Sequence, residues 1–355
     1  MLKNKIKFII FLIISIIILI LGLIRVFFAT NQTEKIITKL IFNSNDVIYF
    51  GDSVLNADHE NKTEPSSLVK IFKQASKKNT LEISGAAYTP FIYDKYFDVI
   101  KKYNKDTKLI IVPINLRAFS SAWYKVPEYQ FEQECSYLGF ISFEFNSNCI
   151  KEHIKNLLSS KNMKAKQEIF LEEVIAAKGF LNTTKRKFIE KFKENCSVEI
   201  VNNDKEFNCK SQDYFVQVME YMQHGLTLRE SIQAMRYNYH YAEYIEKNNI
   251  SLLNIQSIIE KAERMDFNIL FYITPLNLDS IKKYSGQGLL EIISKNLLLI
   301  KNNIKGKDIY FLNLINLLSK EYFEEMCACE HVNEKGKKII IDNIIKFIDA
   351  KIENK

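Results

Sequence analysis

Five apolar runs of strand length constrain this chain more than any other feature. Val47–Phe50, Leu81–Ser84, Leu109–Pro113, Ile269–Ile273 and Ile309–Leu312 consist almost wholly of Val, Ile, Leu, Phe and Tyr. Strands this uniformly apolar are buried on both faces, as in parallel sheets covered by helices. The segments between them supply such helices. Ser66 to Lys77 carries Leu68, Val69, Ile71, Phe72 and Ala75 on one side, and Phe91 to Tyr103 repeats the pattern. The alternation predicts a mainly parallel five-stranded sheet with helices on both faces, a three-layer α/β/α arrangement joined by right-handed crossovers.

The third and fourth runs are too far apart for one crossover. Residues 116–265 are read as an insertion on that sheet. It begins with aromatic, loop-like sequence around Trp123-Tyr124 and becomes strongly helical from Leu226 to Lys247 and from Ser251 to Arg264. Large loops at strand ends commonly carry substrate contacts, although these aromatics serve equally well as the insertion's own core.

The amino terminus has a different composition. Lys3, Lys5 and Lys7 precede an uncharged run from Phe8 to Ile24 made almost entirely of Ile, Leu and Phe. At about 1.5 Å per residue, this run with its apolar continuation to Phe28 is long enough to cross a hydrocarbon core of about 30 Å. The reading is a membrane anchor over 1–28, a juxtamembrane linker or helix over 29–45, and the main domain over 46–355. The basic flank places the amino terminus in the cytoplasm and the main domain outside, periplasmic or on the cell surface. A cleaved signal peptide is the rival reading. It would put Phe27 where a small residue is wanted, which favours the anchor.

Six cysteines at 135, 149, 196, 209, 327 and 329 form three sequence-local pairs, which suits an oxidising compartment. Pairing by proximity is one of many possible connectivities. Cys327 and Cys329 are too close in sequence for easy bridge geometry. No metal is implied, because no paired Cys-x-x-Cys or Cys/His cluster is present. The formal charge of +7 is dispersed over many lysines, without the focused basic footprint that nucleic-acid binding requires.

The ends of the runs carry the chemistry. Gly51-Asp52-Ser53-Val54 follows the first, Gly85 follows the second, and Asn115 follows the third. His331 lies after the fifth run and before an amphipathic segment from Lys337 to Lys351. In a parallel sheet all four positions fall at the same edge, where open α/β sheets bind ligands. Ser53 is the nucleophile candidate and His331 its base. Gly85 and Asn115 are candidate oxyanion donors. Each also has an ordinary reading: a turn serine, a packing glycine, an asparagine cap and a helix start.

These four blocks, in this order, resemble the SGNH (GDSL-like) esterase and acyltransferase superfamily over about residues 45–120 and 265–350. The resemblance implies a flavodoxin-like fold and serine-based acyl chemistry on Ser53, Gly85, Asn115 and His331, with no cofactor. Two departures stand out. The third block lacks the usual Gly-x-Asn-Asp form, and Ala328 occupies the place where an aspartate normally orients the histidine. Glu330 and Glu325 are nearby substitutes, Glu330 being adjacent to His331; a Ser–His dyad supported by a backbone carbonyl is the other option. Arg117, Trp123 and Tyr124 are candidate contacts for a sugar or acyl substrate. A single-span, exported domain of this kind resembles the partners of multi-pass membrane O-acyltransferases in cell-envelope polysaccharide modification. The implied function is a serine O-acetyltransferase or esterase acting on an envelope glycan. The alternative is a catalytically degenerate scaffold that binds a glycan or an envelope assembly partner.

Overall fold

The structure is a computed structural model. It describes residues 31–53, 67–103, 106–120, 131–144, 196–201, 204–209, 240–265, 267–324 and 330–353, together with residues 15, 123, 225, 234 and 237. Apart from Ser15, the apolar run 8–24 lies outside the described residues, as do Tyr124, Glu325 and Ala328. Among the described residues no helix is long and apolar enough to cross a membrane.

The five apolar runs are strands β1 (Val47–Gly51), β2 (Thr80–Ser84), β3 (Leu109–Ile114), β6 (Asn268–Ile273) and β7 (Ile309–Asn313). They form one parallel sheet in the order β2-β1-β3-β6-β7. This is the flavodoxin-like order, in which strand order reverses between β1 and β3 and leaves a crevice outside their carboxyl ends. Successive side chains point to opposite faces, and both faces are covered. Ile48, Phe50, Ile110, Val112 and Phe271 pack on one side with α1 (Asn31–Phe42), α3 (Pro90–Tyr103), α5 (Ile250–Ala262) and α6 (Leu278–Asn303). Val47, Tyr49, Leu109, Ile111 and Tyr272 face the other way, onto α2 (Leu68–Ser76) and α7 (Glu334–Ile348). A strand that serves two cores needs an apolar residue at nearly every position, which accounts for the continuous runs.

Local signals set the helix ends. Ser67 caps α2 by accepting from the Lys70 N–H, and Lys77 closes it in the left-handed region at φ 57°. Asn333 caps α7 by accepting from the Gly336 N–H, so this helix begins at Glu334, three residues before the expected start at Lys337. Gly286, at φ 81°, kinks α6.

The insertion differs from its helical expectation in three respects. Of the helix expected over 226–247, the described residues 234, 237, 240 and 241 are helical, and from 242 the chain runs through bends and a turn to Asn249. Ile250 to Ala262 is not peripheral: Ile255, Ile258 and Ile259 pack α5 into the sheet's own core, as a crossover helix must. Ahead of both lies a hairpin, β4 (Cys196–Val201) with β5 (Asp204–Cys209), in which Cys196 stands opposite Cys209. Only Asn202-Asn203 separates its strands, the residue type that two-residue hairpin loops favour. Helix α4 (Glu132–Ser142) carries Cys135, which is disulfide-bonded. Within the segment 29–45, expected as a linker or helix, Asn31–Phe42 forms α1, whose Ile36, Ile37 and Leu40 enter the core.

Candidate functional site

Ser53 lies two residues beyond the end of β1, at the mouth of the crevice between β1 and β3. Its hydroxyl oxygen accepts a hydrogen bond from Arg117 Nη2 at 3.3 Å. Arg117 reaches it from the 3₁₀ turn Leu116–Phe119 that follows β3. Asn115 builds that turn. Its Oδ1 accepts from the Arg117 N–H at 3.2 Å, while its Nδ2 donates to Asp52 Oδ2 at 3.3 Å. The cap and the site contact are therefore two ends of one side chain.

Arg117 is the hub. It is 7% exposed and lies between two buried carboxylates. Nη2 stands 3.6 Å from Asp52 Oδ2, and Nη1 forms an ion pair with Glu330 Oε1. Trp123 stacks over the guanidinium, with 4.3 Å from Cζ to the ring. Glu330 also accepts from Tyr241 Oη at 2.7 Å and is hydrogen-bonded to Asn115. Burial raises the Glu330 carboxyl above its ordinary value. The Arg117 charge opposes that rise and the Asp52 charge adds to it. His240 meets Trp123 edge-on at 5.4 Å, so the neighbours His240 and Tyr241 supply an aromatic wall and a hydrogen-bond partner for Glu330.

Gly85 owes its identity to packing. A Cβ there would overlap the Tyr88 ring, and its N–H donates to Gly51 O at 3.4 Å, joining the ends of β2 and β1. The turn it opens closes with the Tyr88 N–H on Gly85 O, with Ala87 in the left-handed region at φ 61°. Tyr88 is held from its other end by Glu134. This buried glutamate accepts from Tyr88, from Tyr96 Oη at 2.6 Å and from Thr33 Oγ1 at 3.1 Å, and burial raises its carboxyl above the usual range.

His331 lies in the segment between β7 and α7. Its carbonyl accepts from the Glu324 N–H at 2.9 Å, and Val332 beside it bridges Phe323. Glu330 ties this segment to Arg117, and through it to the end of β1. The structure thus brings Ser53, Asn115, Arg117, Trp123 and Glu330 into one connected group, with Gly85 at the adjoining strand end. The Glu330 oxygens face Arg117 and Tyr241. Asp52, Tyr241 and Glu134, none of them assigned a role from the sequence, are the buried polar residues that sequence reasoning missed. No periodicity or motif marks Tyr241 or Glu134, whereas Asp52 stood in plain view beside Ser53. Among the described residues no group of three or more His, Cys, Asp or Glu side chains is arranged to hold a metal ion.

Neither a protein-family model nor a curated protein matches this chain. Among solved structures, an acetyl xylan esterase from the rumen bacterium Butyrivibrio proteoclasticus is similar at a TM-score of 0.33 and 10% identity, over 87% of this chain and 65% of that one. The chain therefore spans less than two thirds of that esterase, and a likeness at this TM-score carries no argument about function.

Proposed function

We propose that the chain is a membrane-anchored, extracytoplasmic serine acyltransferase or esterase of SGNH type, acting on O-acyl groups, acetyl in the first instance, of a cell-envelope glycan. The observation that carries the reading is Ser53 at the carboxyl end of β1, beside the strand-order reversal, with a buried cation, Arg117, bonded to its hydroxyl and Asn115 bonded to the neighbouring Asp52. The apolar run 8–24 and the Cys135 disulfide support the anchor and the oxidising compartment.

In this mechanism Ser53 Oγ attacks the ester carbonyl carbon as its proton passes to His331, and the carbonyl electron pair becomes an oxyanion. The Ser53 amide N–H and the Asn115 side chain are the donors for that oxyanion; the Gly85 N–H, expected as a third donor, is taken by Gly51 O. One such donor is worth about 3 kcal/mol. Arg117 adds a fixed positive charge beside Ser53 Oγ. With Asp52 and Glu330 already flanking it, the arginine is better placed to favour the developing negative charge than to capture a substrate carboxylate. Collapse breaks the bond to the leaving alcohol, which takes the proton back from His331. Water or a sugar hydroxyl then receives the acyl group, hydrolysis and transfer sharing the first half-reaction.

A fluorophosphonate probe tests the chemistry. Ser53 is expected to label, with labelling lost in Ser53→Ala and in folded His331→Ala, and slowed by about 100-fold in folded Arg117→Met. Folded wild-type protein that neither labels nor cleaves acetyl esters would sink the reading. In cells carrying Ser53→Ala, lower glycan acetylation points to transfer, toward an acceptor served by a multi-pass membrane O-acyltransferase, and higher acetylation to hydrolysis. One observation favours a second reading, the non-catalytic scaffold that binds a glycan or envelope partner: the Ser53 hydroxyl is engaged by the Arg117 guanidinium.

A further inference from the structure

Helix α1 has a direction, and that direction bears on where the site faces. At its start, Gln32 Nε2 donates to the carbonyl of Ser84, the last residue of β2, at 2.6 Å. Thr33 donates to Glu134, which holds the Tyr88 ring over Gly85. Just beyond its other end, the Ser44 carbonyl accepts from the side chain of Asn79, the residue before β2. Helix α1 therefore runs antiparallel to the strands, from the carboxyl edge of the sheet to the amino edge. Its twelve residues rise about 18 Å, the length of a five-residue strand at about 3.3 Å per residue.

The apolar run precedes the carboxyl-edge end of α1. From Phe28 to Gln32 the chain extends about 14 Å at most. Ser84 pairs with Gly51, whose strand lies about 4.8 Å away, and Ser53 follows two residues later. A span ending at Phe28 consequently leaves the bilayer beside the strand ends that carry Ser53, Gly85 and Asn115, with no slack to carry that edge far from the lipid.

We infer that the site-bearing edge of the sheet faces the lipid headgroup layer, and that the acyl donor reaches Ser53 at that surface, held in or tethered to the bilayer. The inference rests on the anchored acyl-transfer reading above and adds an orientation to it. The sheet stands with its strand axes toward the membrane, amino edge outermost. A donor freely dissolved outside the membrane has no advantage in such an arrangement, whereas a donor attached to the bilayer is delivered to the crevice mouth.

The full-length chain in a lipid nanodisc with acceptor-labelled headgroups tests this. A donor dye is placed, through a genetically encoded azide, at one of four exposed positions. Ala86 and Asn316 lie at the carboxyl edge, Lys108 and Lys307 at the amino edge. Energy transfer is expected to place the first two nearer the headgroups than the last two by about 15–20 Å, the length of the strands. Equal distances, or nearer amino-edge dyes, would overturn the orientation while leaving probe labelling of Ser53 untouched. A chain that alkaline carbonate strips from membranes would overturn the anchor, and this inference with it. Correct orientation without Ser53 labelling would leave the facing surface standing and remove the acyl chemistry.

Discussion

At Gly85 a backbone position and a tyrosine ring compete for the same volume. Gly85→Ala must push Tyr88 aside and disturb its bond to buried Glu134, at a cost of about 1–3 kcal/mol. The cost should largely vanish in a Tyr88→Ala background, so a double-mutant cycle by urea denaturation checks it; equal losses in both backgrounds would rule out the packing account. Glu134 itself gives a pH signature. Its folded carboxyl titrates above the ordinary 4.5 because burial disfavours the charge. Folding therefore binds its proton more tightly, and the associated stability is fully present below the unfolded value and lost as pH rises through the folded one. Glu134→Gln does not titrate, so the stability of wild type relative to the variant is expected to fall with rising pH across that window. A flat difference in denaturation midpoints would contradict this.

Among the elements, the sheet strands were legible from sequence because burial on two faces leaves almost no room for polar residues. Helix α1 was less so. Ile36, Ile37 and Leu40 make a narrow stripe among Lys, Thr and Asn, which fits a tether as well as a packed helix. The β4–β5 hairpin was missed because its strands are short and carry little apolar alternation, although Asn202-Asn203 was the available signal. The end of helical structure at Tyr241 also differs from the expectation of helix to Lys247. Asn296 holds the departing chain there, accepting from the Ile245 N–H and donating to the Glu243 carbonyl, contacts that come from α6. Helix α4 is fixed by the Cys135 disulfide as well as by packing. Cys135→Ser is expected to lower stability by about 2–4 kcal/mol in denaturation measured under oxidising conditions, and an unchanged midpoint would show that the bridge adds nothing.

For the whole molecule, the order Ser53, Gly85, Asn115, His331 was legible because parallel strands gather their carboxyl ends at one edge. The network that joins the site was not. Arg117 bonds a residue 64 positions away, and Tyr241 bonds one 89 positions away; such pairings follow from tertiary packing and leave no periodic trace. The sheet's connectivity also governs how the chain acquires its structure. Strands β1, β2 and β3 lie within one short stretch, but β3 must pair with β6, Leu109 with Asn268, across the whole insertion. Pairings at such separation slow folding, because the loop must close before the contacts reward it. During synthesis the three-stranded half of the sheet emerges with the β3 edge bare, while Glu330 and His331 are still to come. Until β6 is made, the nascent chain therefore shows its neighbours an unpaired, apolar strand edge, the kind of surface that pairs with other chains and that a chaperone holding extended apolar segments would shield.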